Sequence, residues 1–308
     1  MTDSKPKLWR DPHFWQIFSQ IIAVILFLVI VIILGYNLTR NLQQLGLKFG
    51  FNFLQQTASF DIGETMVSYQ PTDTYSRALL VGLINSLRVA ITGIILTTIV
   101  GLIVGIARLS DNWLVRNFSL IYVEIFRNTP LLLQLFFWYF AVFLSLPKVE
   151  EQISILGLIK LSQNGLELWG FNFSPEFSTL LLGLTFYTAS FIAEIVRGGI
   201  QSVAQGQWEA GRSLGLKPSL IMALIVLPQA LKVIIPPLTS QYLNLTKNSS
   251  LAIAIGYPDI YFVASTTFNQ TGKAVEVMLL IMLTYLSLSL IISLSMNLVN
   301  RQVQIKEK

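Results

Sequence analysis

The sequence predicts an all-α polytopic membrane protein that crosses the bilayer about six times. Of its 308 residues, 53% are hydrophobic and only 12% are charged, roughly half the charged share of a soluble domain. The apolar residues are gathered into runs matching the ~20 residues a helix needs to cross a hydrocarbon core. These runs are continuous rather than alternating, which selects helices over the strands of a barrel. The chain has no cysteine, which excludes disulfides, thiol catalysis and cysteine-ligated metals.

Spans are predicted near 17–38, 79–106, 118–146, 176–197, 220–245 and 275–298. The first, QIIAVILFLVIVIILGY, lacks a small-residue cleavage site and is longer than the apolar core of a signal peptide, so it reads as a retained anchor. His13, beside Pro12 and just ahead of this run, reads as an interfacial side chain. In span two, Gly93, Gly101 and Gly105 form a small-residue face for close helix packing, either within the chain or against a neighbouring subunit. The organisation expected is an N-terminal segment, anchor and first outer loop over 1–78, a core membrane domain over 79–298 and a tail over 299–308. The outer loops, 39–78, 147–175 and 246–274, contain Trp, Phe, Tyr and Asn and read as ordered.

The net charge of +5 does not indicate nucleic acid, because the basic residues sit at span ends rather than in a cluster. On the side of the termini lie 11: Lys5, Lys7, Arg10, Arg108, Arg116, Arg197, Arg212, Lys217, Arg301, Lys306 and Lys308. The other side holds 7, namely Arg40, Lys48, Arg77, Lys148, Lys160, Lys247 and Lys273, spread over longer loops. The positive-inside rule therefore places both termini in the cytoplasm.

Ionisable groups at membrane depth cost several kcal/mol and call for a reason. Glu124 and Arg127 stand three apart on span three, as do Glu194 and Arg197 on span four, so each pair can neutralise itself. Glu194 and Arg197 could equally be a snorkelling pair at the interface. Arg88 and Lys232 have no local partner. Pro130, after Thr129, predicts a kink in span three, and Pro228, Pro236 and Pro237 interrupt span five. Such interruptions are either packing kinks or a broken helix whose freed backbone groups line a pathway. Gln241, Asn244 and Asn248 follow at helical spacing.

Between spans four and five lies QGQWEAGRSLGLKPSLI, Gln205 to Ile221. Glu209-Ala210-Gly211 is followed by Gly215, then by Ile225 and Leu227-Pro228. This resembles the EAA loop of ABC importer permeases: E-A-A, three residues, G, nine residues, I, one residue, L-P. Every spacing agrees, and the departure is Gly211 in place of the second Ala. Gly215 is expected to stop the helix in the left-handed conformation, and Pro218 to start the next. Gly206, Gly211, Arg212 and Ser213 nearly match a phosphate-binding loop. Arg replaces the Lys and no strand precedes it, so that reading is rejected.

Further segments resemble polar-amino-acid permeases: YVEIFRNTPLLLQLFFWYF from Tyr122, the stretch from Tyr187 to Ala210, and KNSSLAIAIGYPDI from Lys247. FDIGETMVSY from Phe60 and YSRALLVGLINSLRVA from Tyr75 resemble the general L-amino-acid branch. The resemblance implies a type I ABC importer permease fold in a bacterial inner membrane. It implies three kinds of partner: a second permease, related but different; an ATPase dimer that holds ATP and Mg; and a periplasmic amino-acid-binding protein. The chain itself would carry no cofactor, metal or catalytic residue. Glu209, Ala210, Gly211 and Gly215 would form the helix that docks on the ATPase. Glu124, Arg127, Thr129, Gln134, Glu194, Gln241, Asn244 and Asn248 are the candidates for the substrate pathway, which must meet both charges of an amino acid. The rival is a stand-alone ion-coupled carrier, which usually shows pseudo-symmetric halves absent here. A membrane enzyme lacks any His, Cys or paired-carboxylate constellation outside the spans.

Overall fold

The computed structural model describes residues 12–304 apart from 45, 47, 156 and 157. Lys5, Lys7, Arg10, Lys306 and Lys308, five of the charges counted for topology, lie outside the described residues. The chain divides into two compact units, 1–51 and 52–308. The first holds α1 (Pro12–Gln44), an apolar helix long enough to span a membrane.

The second unit holds four further span-forming elements: α2 (Tyr75–Ala107), α5 (Pro175–Gln201), the stretch from Pro218 to Ile255, and α10 (Ala274–Val303). Two shorter helices, α3 (Trp113–Asn128) and α4 (Leu131–Phe136), are bent by 107° at their junction, α4 being prolonged by a π turn and a 3-10 turn to Ser145. Among the described residues the count is five, or six if the bent pair forms one span.

The expected kink in span three is thus a full corner, for a local reason. The residue before a proline is pushed out of the helical region, and Thr129 is extended at φ −110°, ψ 137°. The corner is closed by Gln134, whose Nε2 donates to the Phe126 carbonyl at 3.0 Å, the Thr129 carbonyl at 3.1 Å and Thr129 Oγ1 at 2.7 Å.

Span five departs from expectation the other way. Here α7 (Pro218–Ile221) leads into a π turn over Met222–Val226 and then α8 (Leu227–Asn248), which runs unbroken through Pro236 and Pro237. The irregularity sits ahead of Pro228, where the wider turn carries the chain into a helix whose first turn accommodates a proline.

Close packing within the subunit explains the small residues of α2. A Cβ at Gly101 would lie 2.5 Å from Ile192, and one at Gly105 2.8 Å from Val196, both on α5. At Gly93 it would lie 3.2 Å from Leu245 on α8. Of the two readings of this face, the structure uses the internal one.

The segments expected as loops are built elements. Residues 153–173 form an antiparallel meander, β1 (Ile153–Ile155), β2 (Ile159–Ser162), β3 (Gly165–Leu168) and β4 (Phe171–Phe173). Its register aligns Ile153, Leu161, Leu166 and Phe173 in one row, and Ile155, Ile159, Leu168 and Phe171 in the next. Ser154, Lys160, Glu167 and Asn172 fall on the opposite face. This sheet is a small addition to an otherwise helical fold. After α8 come a 3-10 helix (Ser249–Ile255) and α9 (Ile260–Thr271), which packs on α2.

Residues 52–74 are held to the larger unit by Phe53, Ala58 and Ile62, buried in one cluster with Ala78, Val81 and Val263, and by Glu64. Glu64 pairs with Arg88, whose guanidinium stacks 3.8 Å from the Phe177 ring centre, and it accepts a hydrogen bond from Ser174, the N-cap of α5. Asn85 donates to the Glu64 and Pro258 carbonyls, both at 2.9 Å. Arg88, without a local partner in the sequence, thus finds one from a loop 24 residues away.

Candidate functional site

The Glu209 segment folds as α6 (Gln205–Ser213), a short helix standing between the spans α5 and α7–α8. Its end is a complete Schellman stop: Leu216 N–H donates to Gly211 O at 3.2 Å and Gly215 N–H to Arg212 O at 2.9 Å. Gly215 adopts φ +71°, the left-handed conformation expected, and Pro218 opens α7.

Gly211 allows a close approach inside this chain. It is the buried residue of α6, and a Cβ there would lie 2.9 Å from Ile221 and 3.1 Å from Ile225. The close approach it permits is to this chain's own next helix, with Trp208 and Leu216 packed in the same cluster. Glu209, Ala210 and Arg212 are exposed, and Leu214 is 77% exposed. The result is a polar ridge ending in a bare leucine, braced from behind by the π turn.

The Glu194 carboxylate is the centre of a charge cluster. Arg108, at the C-terminal cap of α2, pairs with its Oε1, while Arg197 donates to Oε2 at 2.9 Å. Arg197 Nη1 also donates to Gln201 at 2.6 Å. Arg127 lies near enough to act on the same carboxylate. The expected Glu194–Arg197 pair therefore forms, with Arg108 as a partner that sequence spacing did not reveal.

The expected Glu124–Arg127 pair is replaced. Asn128 Nδ2 donates to Glu124 Oε2 at 2.9 Å, and the Arg127 guanidinium lies 5.2 Å from the centre of the Phe191 ring. Both charged side chains are exposed. An amide one turn along competes for the carboxylate, and α3 ends there, freeing Arg127 to reach α5. Lys232 has no ion-pair partner among the described residues.

The remaining pathway candidates fall into two places. Thr129 and Gln134 staple the α3–α4 corner and line a largely apolar cavity of about 280 Å³ with Ile125, Phe126 and Pro130. Gln241, Asn244 and Asn248 lie on α8, where Pro236, Pro237, Ser240, Asn244 and Lys247 make an exposed stripe at helical spacing. Gln241 and Asn248 flank it, half-buried. Polar groups on a spanning helix are disfavoured against lipid, so this stripe and the exposed end of α3 are suited to an aqueous path or a subunit contact. The structure does not bring all eight candidates into one pocket.

Comparison with known proteins agrees with this architecture. Residues 97–305 match the family described as the binding-protein-dependent transport system inner membrane component. The chain is 39% identical to the general L-amino acid transport system permease protein AapQ of Rhizobium johnstonii, over 97% of this chain and 94% of that one. It is 41% identical to the putative amino-acid ABC transporter permease protein YhdX of Escherichia coli, over 94% of each. Among solved structures, a crystal structure of an amino acid ABC transporter with histidines superposes with a TM-score of 0.60 at 27% identity, covering 74% of this chain and 95% of that one. The chain belongs to the family of inner-membrane permease components of binding-protein-dependent transport systems. It is a multi-pass membrane transport subunit of the ABC class, and the reading as a stand-alone carrier is set aside.

Proposed function

We propose that this chain is one permease of an ABC importer that moves amino acids from periplasm to cytoplasm, with α6 as the element that receives the ATPase stroke. The observation that carries this reading is α6 itself. It is stopped sharply at Gly215, seated through Gly211 on the base of α7–α8, and presents Glu209, Ala210 and Leu214 outward. A force applied to such a ridge passes directly into a spanning helix. Both termini and α6 then lie in the cytoplasm, as the distribution of basic residues supports.

Amino acids as cargo are supported by the names of the relatives and by the chemistry of the exposed polar groups. Glu124 offers an acceptor for an ammonium group; Arg127, Asn244 and Gln241 offer donors for a carboxylate. The chain forms half of the pathway and performs no chemistry itself. A related but different permease completes the pathway, an ATPase dimer holds ATP and Mg, and a periplasmic binding protein delivers substrate. In proteoliposomes carrying all these subunits, uptake of labelled amino acids requires both ATP on the α6 side and the binding protein. Uptake by this chain alone on an ion gradient contradicts the proposal.

A further inference from the structure

We propose that the apolar face of the β1–β4 sheet rests on the bilayer, at the end of the membrane where α5 begins, as an interfacial platform. All eight side chains of its two rows are apolar, and the opposite face carries Lys160 and Glu167 as an ion pair at 2.7 Å. A sheet face this uniform is ordinarily buried against a second layer. Here Ile153, Ile155 and Phe171 are exposed, Phe171 by 70%, as is Trp169 in the adjoining turn, and of the eight Phe173 alone is seen to stack on the core, 5.6 Å from Phe177 of α5. Exposed apolar surface on this scale marks a contact with a partner or with lipid.

Position selects lipid. Ser174 alone separates β4 from Pro175, the first residue of a spanning helix. At about 3.3 Å per residue, the four steps from Phe171 to Pro175 place Phe171 at most about 13 Å from the start of that span. That reach holds the sheet beside the interfacial layer, roughly 5–8 Å deep on each side of the ~30 Å hydrocarbon core. The stretch ahead of the sheet is apolar and open as well: the π turn over Phe137–Val142 contains no buried residue and leaves Phe137 and Phe140 exposed. Trp beside aromatic and aliphatic neighbours, with a charged pair on the far face, matches the chemistry of a membrane–water boundary. The platform would hold the entrance of α5 at a fixed depth.

The chain has no cysteine, so a single introduced one is uniquely labelled. Ile155→Cys and Phe171→Cys report the apolar face, where Ile155 shares a row with Phe171, and Asn172→Cys reports the opposite one. Each is labelled with a bimane fluorophore in the full chain, in lipid nanodiscs with and without partner subunits. The expected result is that lipids spin-labelled near the headgroup quench positions 155 and 171 while aqueous iodide does not, with the reverse at 172. Iodide quenching at all three positions overturns the proposal, because the face is then in water. Protection of 155 and 171 from both quenchers overturns it too, because a protein then covers the face. If Phe171→Cys disturbs the sheet, Ile155→Cys on the edge strand β1 gives the same reading alone.

Discussion

Replacing Gly211 by leucine should unseat α6 while leaving the spans in place. Even the first added carbon meets Ile221 at 2.9 Å and Ile225 at 3.1 Å, and Ile221 is almost wholly buried. The further carbons of leucine have no space, so α6 must tip away from α7 and the π turn. Overpacking of this kind costs about 1–3 kcal/mol, which reduces the seated population by about 5- to 150-fold. Insertion depends on the apolar spans and should be unchanged, so the variant should reach the membrane at normal abundance. Its complex should lose binding-protein-stimulated ATP hydrolysis and amino-acid uptake together. Gly215→Asn is the matched control. Nothing lies within 4 Å of a Cβ there, and Asn tolerates the left-handed conformation that glycine holds, so activity should be largely kept. Normal uptake and normal stimulated hydrolysis in Gly211→Leu would refute the seating argument.

Other variants probe the charge clusters and the buried acid. Glu194→Gln leaves Arg108 and Arg197 facing each other without their shared anion, so it should lower the unfolding temperature of the purified complex more than Arg197→Gln does. Removing one member of a buried pair is the costly change; equal shifts would mean the cluster is not coupled. Glu64→Leu should destabilise more than Glu64→Leu combined with Arg88→Leu, read as protease sensitivity of residues 52–74. Asp259, fully buried at the N-cap of α9, has its pKa pushed up to about 7 by burial, partly offset by hydrogen bonds from Phe262 N–H and Tyr285. A folded-state value above the ordinary one means the folded chain keeps a proton that the unfolded chain has lost. Stability should therefore fall as pH rises between about 4 and 7 and level off above. Asp259→Asn keeps an N-cap acceptor and should remove that slope in thermal unfolding; an unchanged slope would show that another group sets it.

The spans were legible because long apolar runs are a property of composition, and α6 because its glycines and Leu227-Pro228 keep fixed spacings. What escaped the sequence was set by contacts distant along the chain. Arg88 meets Glu64 and Arg108 meets Glu194 only once loops and helices have packed. Helical spacing found Glu194 with Arg197 and failed at Glu124, where Asn128 takes the carboxylate. The sheet was hidden because its strands are three or four residues long, too short for alternation to stand out beside the spans. The prolines of α8 misled because Pro236 and Pro237 are carried inside an unbroken helix, and the irregular backbone lies instead in the π turn just ahead of Pro228.

The most direct test of the central claim is a cross-link from α6 to whatever drives transport. In the cysteine-free background, single cysteines are placed at Glu209 and Leu214, with Asn172 as the control on the sheet. Each carries a short photoactivated cross-linker in membranes from cells expressing the whole system, and the adducts are identified by mass spectrometry. An ATPase subunit should be captured from positions 209 and 214 and not from 172. Failure of both α6 positions to capture an ATPase, with the complex shown to be active, would contradict α6 as the coupling element.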